Sequence, residues 1–141
     1  MDLKQVTEQL KIHEGFRNNV YQCSMGHDTQ GYGHLVSKGI SKEVAEMILQ
    51  EDIKEAITEV RRNIGFFDDL PGKTQEALVN MSFNLGISRL LQFKNMLMHL
   101  RDRNFSKASD EVLNSRYATQ VGKRAMDIAT MIKECVEPDK E

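Results

Sequence analysis

The sequence has almost no excess of charge, no long apolar run and few cysteines, and each scarcity removes a class of protein. Its 19 Lys and Arg against 21 Asp and Glu give a formal charge of -2, too little for a nucleic-acid or membrane-surface binder that works through net charge. Basic spots at Arg61-Arg62, Arg101 with Arg103, and Lys123-Arg124 read as solvated helix faces. No apolar run reaches spanning length, and the opening residues MDLKQVTEQL lack the apolar centre of a secretory signal, so no stable membrane insertion is expected and the chain is expected to be cytoplasmic when made. Cys23 and Cys135 lie far apart and match no metal or redox spacing, which predicts two reduced thiols. The histidines His13, His27, His34 and His99 form neither an HxxxH nor an HExxH pattern, so neither a metal nor an organic cofactor is expected. Repeats, low-complexity tracts and a sustained heptad seam are missing too, which favours a monomer.

What is present is one domain's worth of patterned chain. At 141 residues the sequence can bury a core without staples, and a single domain over 1–141 is the default. Asp2 with Gln5 three residues later resembles a capping box, and Leu3, Val6 and Leu10 recur on one helical face; the spacing predicts a helix ending near Gly15. Glu14 then stands at a helix C-terminus, where the dipole disfavours a carboxylate anion and favours the protonated acid.

From Arg17 to Leu35 the helical period vanishes, and Gly26, Gly31 and Gly33 alternate with Tyr21, Thr29 and Tyr32. That pattern predicts short strands and tight turns in a small antiparallel sheet. Ser41 is a fitting N-cap for the next helix, whose stripe Val44, Met47, Ile48, Ile53, Ile57, Val60 and Ile64 runs to Gly65; such a helix would be roughly 35 Å long, enough to join two lobes. Beyond the turn at 68–72, Ala77, Leu78, Met81 and Leu85 form a stripe, with Val79 and Phe83 off it, so this helix is expected to be buried on nearly all sides. Amphipathic segments follow at about 88–91, 93–102 and 106–115, then one from Gly122 through Ala125, Ile128, Ala129, Ile132 and Val136, with a charged tail beyond. The expected fold is α+β and mostly helical, bilobed, with a small sheet lobe over about 14–40, a connecting helix over about 41–65, and a helical lobe over about 66–136 that also takes in the N-terminal helix.

The stretch from Glu14 to His34 concentrates reactive side chains. Acid-assisted hydrolysis needs a general acid on the leaving atom and a second group that activates water or acts as nucleophile. Glu14 suits the first role. For the second, Cys23 and Asp28, the latter adjacent to Thr29, both qualify by type, though a loop cysteine is more often a plain buried thiol and such an aspartate a turn residue. His27 with Cys23 could form a thiol hydrolase, but no third, orienting residue is evident. Asn84, in an apolar helix, would need partners if buried, and a cleft would supply them.

Glu14, then eight residues, Cys23, then five residues, Thr29, followed by Gly33-His34, resembles the signature of the phage-type lysozymes, the T4-like endolysins, whose pattern is Glu, eight residues, Asp or Cys, five residues, Thr. Arg17 and Tyr21, the run ALVNMSFNLG at 77–86, and Ser115-Arg116-Tyr117 leading to Lys123-Arg124-Ala125 extend the resemblance over nearly the whole chain. It implies that Glu14 is the general acid, that Cys23 stands where many members have a second carboxylate, and that Thr29 helps hold the attacking water. It further implies that Arg124 pairs with the catalytic glutamate, that Asn84 and Tyr117 line the cleft, and that His34 and Asp52 form a structural pair tying sheet to long helix. The segment between His34 and Asp52 is shorter than in the T4 protein, so a trimmed small lobe is expected. The implied activity is a muramidase that cleaves the β-1,4 bond between N-acetylmuramic acid and N-acetylglucosamine in bacterial peptidoglycan. It would act in the periplasm after release, in this family commonly through a separate holin-type membrane partner. A lytic transglycosylase, a glycan-binding module with turnover lost at Cys23, and a thiol hydrolase are the competing readings.

Overall fold

The computed structural model describes residues 1–135; the expected apolar position Val136 and the charged tail lie outside the described residues. The architecture is α+β and mostly helical. Eight α-helices among the described residues accompany one three-stranded antiparallel sheet. The chain divides into two compact units, Met1–Glu46 and Met47–Glu141, with the division inside the second helix.

In the first unit, α1 (Leu3–Glu14) begins where Asp2 accepts from the Gln5 amide at 3.2 Å and ends where the Gly15 N–H bonds Lys11 O at 2.9 Å. These local signals suffice because they satisfy backbone groups that a helix end leaves orphaned. The strands β1 (Arg17–Gln22), β2 (Asp28–Gly31) and β3 (His34–Leu35) pair in chain order. Tyr21 faces Thr29 and Gln22 faces Asp28, whereas Arg17 faces Gly31, so β1 carries an irregularity between Arg17 and Tyr21. Gln30 faces His34 across the turn at Tyr32 and Gly33. A short 3-10 turn at Val36–Lys38 leads to α2 (Lys42–Asn63), where Ser41 caps the Val44 amide at 3.2 Å as expected.

The second unit holds the core. Val60 and Ile64 at the end of α2 pack with Phe67 and Leu70 of the following turn, and Ala77, Leu78 and Met81 of α3 (Gly72–Leu85) lie against them. Leu90 comes from α4 (Ile87–Leu90), Met96 and Leu100 from α5 (Lys94–Arg101), and Phe105, Ala108 and Val112 from α6 (Phe105–Leu113). Ala125, Ile128, Ala129 and Ile132 of α8 (Lys123–Lys133) complete it. Each fully buried Leu or Met of this set contributes about 1.5–3 kcal/mol relative to exposure. Two buried hydroxyls bridge elements: Ser109 donates to Ala129 O at 2.8 Å, joining α6 to α8, and Thr74 donates to Cys135 Sγ at 3.1 Å, joining the start of α3 to the chain just past α8.

Three expectations change. Phe83 is exposed, so α3 is not buried on nearly all sides; Val79 and Phe83 line a groove instead. In α2 only the second half of the apolar stripe is buried, at Val60, with Val44, Met47 and Ile48 exposed. The single segment expected over 106–115 is followed by a separate helix, α7 (Arg116–Val121), capped by Ser115, whose Oγ accepts from the Ala118 amide. Six residues are too few for a periodic stripe to announce that helix.

Candidate active site

Glu14 is the last residue of α1, and the chain leaves the helix through Gly15. Phe16 then packs on Tyr32, with ring centroids 5.5 Å apart, and Lys11 reaches over the same tyrosine at 5.8 Å. This aromatic contact draws the helix end onto the β2–β3 turn. Glu14 consequently lies on Gly33: a Cβ built there would sit 2.6 Å from Glu14 Oε2.

Cys23 ends the β1 side of the first hairpin. Its N–H donates to His27 O at 2.9 Å, and its own carbonyl accepts from the Gly26 amide at 2.8 Å, closing a tight turn. Thr29, one of the few buried polar residues, donates its hydroxyl to the same His27 carbonyl at 2.9 Å. One backbone oxygen therefore ties Cys23 to Thr29. The half-buried Cys23 thiol is held below the ordinary cysteine range, chiefly by backbone hydrogen bonding at His27 and then at Met25; desolvation opposes this, and Thr29 adds to it. A thiolate-favouring environment is what a cysteine needs to act as base or nucleophile. Asp28 is exposed beside Thr29 in β2. His34 Nε2 lies 3.1 Å from Gly39 O, a contact that pins the strand end.

The remaining expected site residues lie in the second unit. Arg124, on the first turn of α8, donates from Nε to Asn80 Oδ1 at 2.9 Å and from Nη2 to Asn80 O at 3.3 Å. Both residues line a groove of about 560 Å³ with Phe67, Val79 and Phe83. Tyr117 is buried, meets Phe93 edge-on at 5.9 Å, and borders a second, more polar hollow of about 450 Å³ with Arg89, Lys94 and Arg116. Its hydroxyl has no hydrogen-bond partner among the described residues. Burial pushes the phenol up, and the Arg124 charge pulls it partly back. Asn84 is exposed near the end of α3, which removes the argument from a buried amide. Asp52, exposed on α2, edges a third hollow with Ser82 and Phe83. The expected pairs Glu14 with Arg124 and His34 with Asp52 each draw one residue from each unit and belong to the proposal below.

Sequence reasoning missed Asn80, the His27 carbonyl and the role of Gly33. Asn80 had a signal: it lies one helical turn before Asn84 in an apolar stretch, and spacing of four puts both on one face. The His27 carbonyl had none, since a backbone oxygen is the same in every residue. Among the described residues, no three His, Cys, Asp or Glu gather as a metal site, and no helix is long and apolar enough to cross a membrane.

The family model described as phage lysozyme matches residues 11–131. An endolysin of Acyrthosiphon pisum secondary endosymbiont phage 1 is 31% identical over 119 residues, covering 82% of this chain and 80% of its own. A probable T4-type lysozyme of Dictyostelium discoideum is 24% identical over 156 residues, covering 89% of this chain and 92% of its own. A peptidoglycan hydrolase of Pseudomonas phage phiKMV is 29% identical over 129 residues, which are 84% of this chain and 14% of that protein. With the family model matching most of its length and an endolysin 31% identical to it, the chain belongs to the phage lysozyme family, glycoside hydrolases of the lysozyme type.

Proposed function

We propose that this chain is a muramidase that hydrolyses the β-1,4 bond between N-acetylmuramic acid and N-acetylglucosamine in bacterial peptidoglycan. Glu14 gives its proton to the leaving glycosidic oxygen, and a water molecule supplies the hydroxyl that ends on the sugar carbon. Cys23 takes the place of a second carboxylate, removing the water's proton or attacking the sugar itself, and Thr29 holds the water. Asn84, Tyr117 and Arg124 form the cleft network, Arg124 pairing with Glu14, and the pair His34 and Asp52 ties the sheet to α2. The whole chain serves as one lysozyme-like domain and works as a monomer. It acts on the wall in the periplasm after release from the cytoplasm, with a holin-type partner opening the membrane.

The observation that carries this reading is the meeting of Cys23 and Thr29 at the His27 carbonyl, at the far end of the same small sheet whose β2–β3 turn receives Glu14. These contacts lie within one unit: Cys23 and Thr29 meet at one end of β2, and Glu14 rests on the turn at its other end. The names of the relatives, an endolysin and a peptidoglycan hydrolase, support the substrate.

The test is to incubate purified peptidoglycan with the protein and with Glu14→Gln, Cys23→Ser and Cys23→Asp variants, then to identify the released fragments by mass spectrometry. Reducing-end muropeptides that vanish with Glu14→Gln and persist with Cys23→Asp are expected. Anhydro ends would show a transglycosylase, and binding without release would show a glycan-binding module.

A further inference from the structure

We infer that Gly33 is a positioning residue for Glu14, kept without a side chain so that the carboxyl group can lie against the β2–β3 turn. The inference rests on the reading of Glu14 as the acid.

A Cβ at Gly33 would fall 2.6 Å from Glu14 Oε2, 2.9 Å from Cδ and 3.2 Å from Cγ. Non-bonded heavy atoms settle at about 3.5 Å or beyond, so the carboxyl would have to move by close to 1 Å. It can do so, because it ends a flexible side chain; the chain would fold and the acid would be displaced. The backbone around Glu14 is not equally free. The Gly15 cap on Lys11 O and the Phe16–Tyr32 contact hold the helix end against the turn. A displacement of about 1 Å in a reacting group lowers turnover by roughly 10²-fold.

Gly33 also has a positive φ of 73°, which strains any L side chain. Gly39 separates the two effects. Its φ is 72°, and a Cβ there would meet nothing within 4 Å. Gly39→Ala therefore also places an L residue at positive φ, without the contact.

The experiment compares wild type, Gly33→Ala and Gly39→Ala by steady-state release of muropeptides and by the 13C resonance of the Glu14 side-chain carboxyl. Gly33→Ala is expected to lower kcat about 10²-fold with KM within about 2-fold, and Gly39→Ala to keep kcat within about 3-fold. The Glu14 resonance is expected to move in the Gly33 variant alone. Equal losses in the two variants, or an unmoved resonance in folded Gly33→Ala, would overturn the inference. If Glu14→Gln keeps full turnover, the acid reading fails while the resonance still decides the contact. Should Gly33→Ala not fold, the double variant Glu14→Ala/Gly33→Ala decides: recovery of cooperative unfolding supports the contact, and no recovery refutes it.

Discussion

Arg124 grips Asn80 twice, from Nε to the side-chain oxygen at 2.9 Å and from Nη2 to the backbone oxygen at 3.3 Å. The two contacts orient a guanidinium that would otherwise sweep a wide arc at the end of three methylenes. Its flat fork is suited to holding one direction once two donors are engaged.

Asn80→Ala should therefore reduce activity more than stability. Asn80 is exposed, so unfolding free energy should change by about 0.5 kcal/mol or less, while kcat/KM on peptidoglycan falls about ten-fold, or about 1.4 kcal/mol. Kinetics beside thermal unfolding check this. A variant with wild-type turnover would mean that Arg124 needs no such holder.

The Cys23 thiol, lowered mainly by backbone hydrogen bonding at His27, should make folding more favourable as pH rises. A group with a depressed folded pKa binds its proton less tightly in the native state than in the unfolded one. Its stabilising effect is thus complete above the unfolded pKa, about 8.5, and is lost as pH falls through the folded value. The melting temperature of the wild type minus that of Cys23→Ala should climb across this window and then level off. A flat or falling difference would contradict the hydrogen-bonding account.

The Thr29 hydroxyl donates to His27 O at 2.9 Å. Thr29→Val takes one of two donors from that part-buried carbonyl, which keeps the Cys23 N–H, and should destabilise by about 1 kcal/mol, a fall of several degrees in Tm. Thr29→Ser keeps the donor and should lie much closer to wild type. Equal melting of the two variants would show that the methyl group, not the hydroxyl, supports the turn.

Tyr117→Phe should be neutral or stabilising by up to about 1 kcal/mol, because it removes a buried hydroxyl that lacks a partner among the described residues. The folded phenol is raised by burial. Stability from the neutral ring is then intact below the unfolded pKa of about 10 and declines as pH rises toward the folded value. The phenylalanine variant should lack this alkaline decline. Denaturant unfolding at neutral and alkaline pH measures both effects, and a clear loss of stability at neutral pH would point to a partner for the hydroxyl.

Much of the fold was legible because its signals are local. Asp2 and Ser41 cap helices through hydrogen bonds to amides three residues away, and Gly15 ends a helix through its own N–H group. The hairpin carrying Cys23 and Thr29 was legible as strands and turns, although the irregularity in β1 was not. The helix α7 was missed for its shortness. Phe83 was misjudged because periodicity tells which face is apolar, not whether anything covers it.

By itself, the sequence determined the residue types and spacing of the candidate chemistry: a carboxyl at a helix end, a thiol and a hydroxyl across one hairpin, an arginine at a helix start. Tertiary structure decided which groups they touch. That Asn80 holds Arg124 and that Glu14 needs the bare face of Gly33 depend on separate stretches of chain meeting, whereas the His27 carbonyl shared by Cys23 and Thr29 depends on the turn their hairpin adopts. Such meetings follow from packing of the whole unit, and no window of sequence contains both partners together with the geometry that joins them.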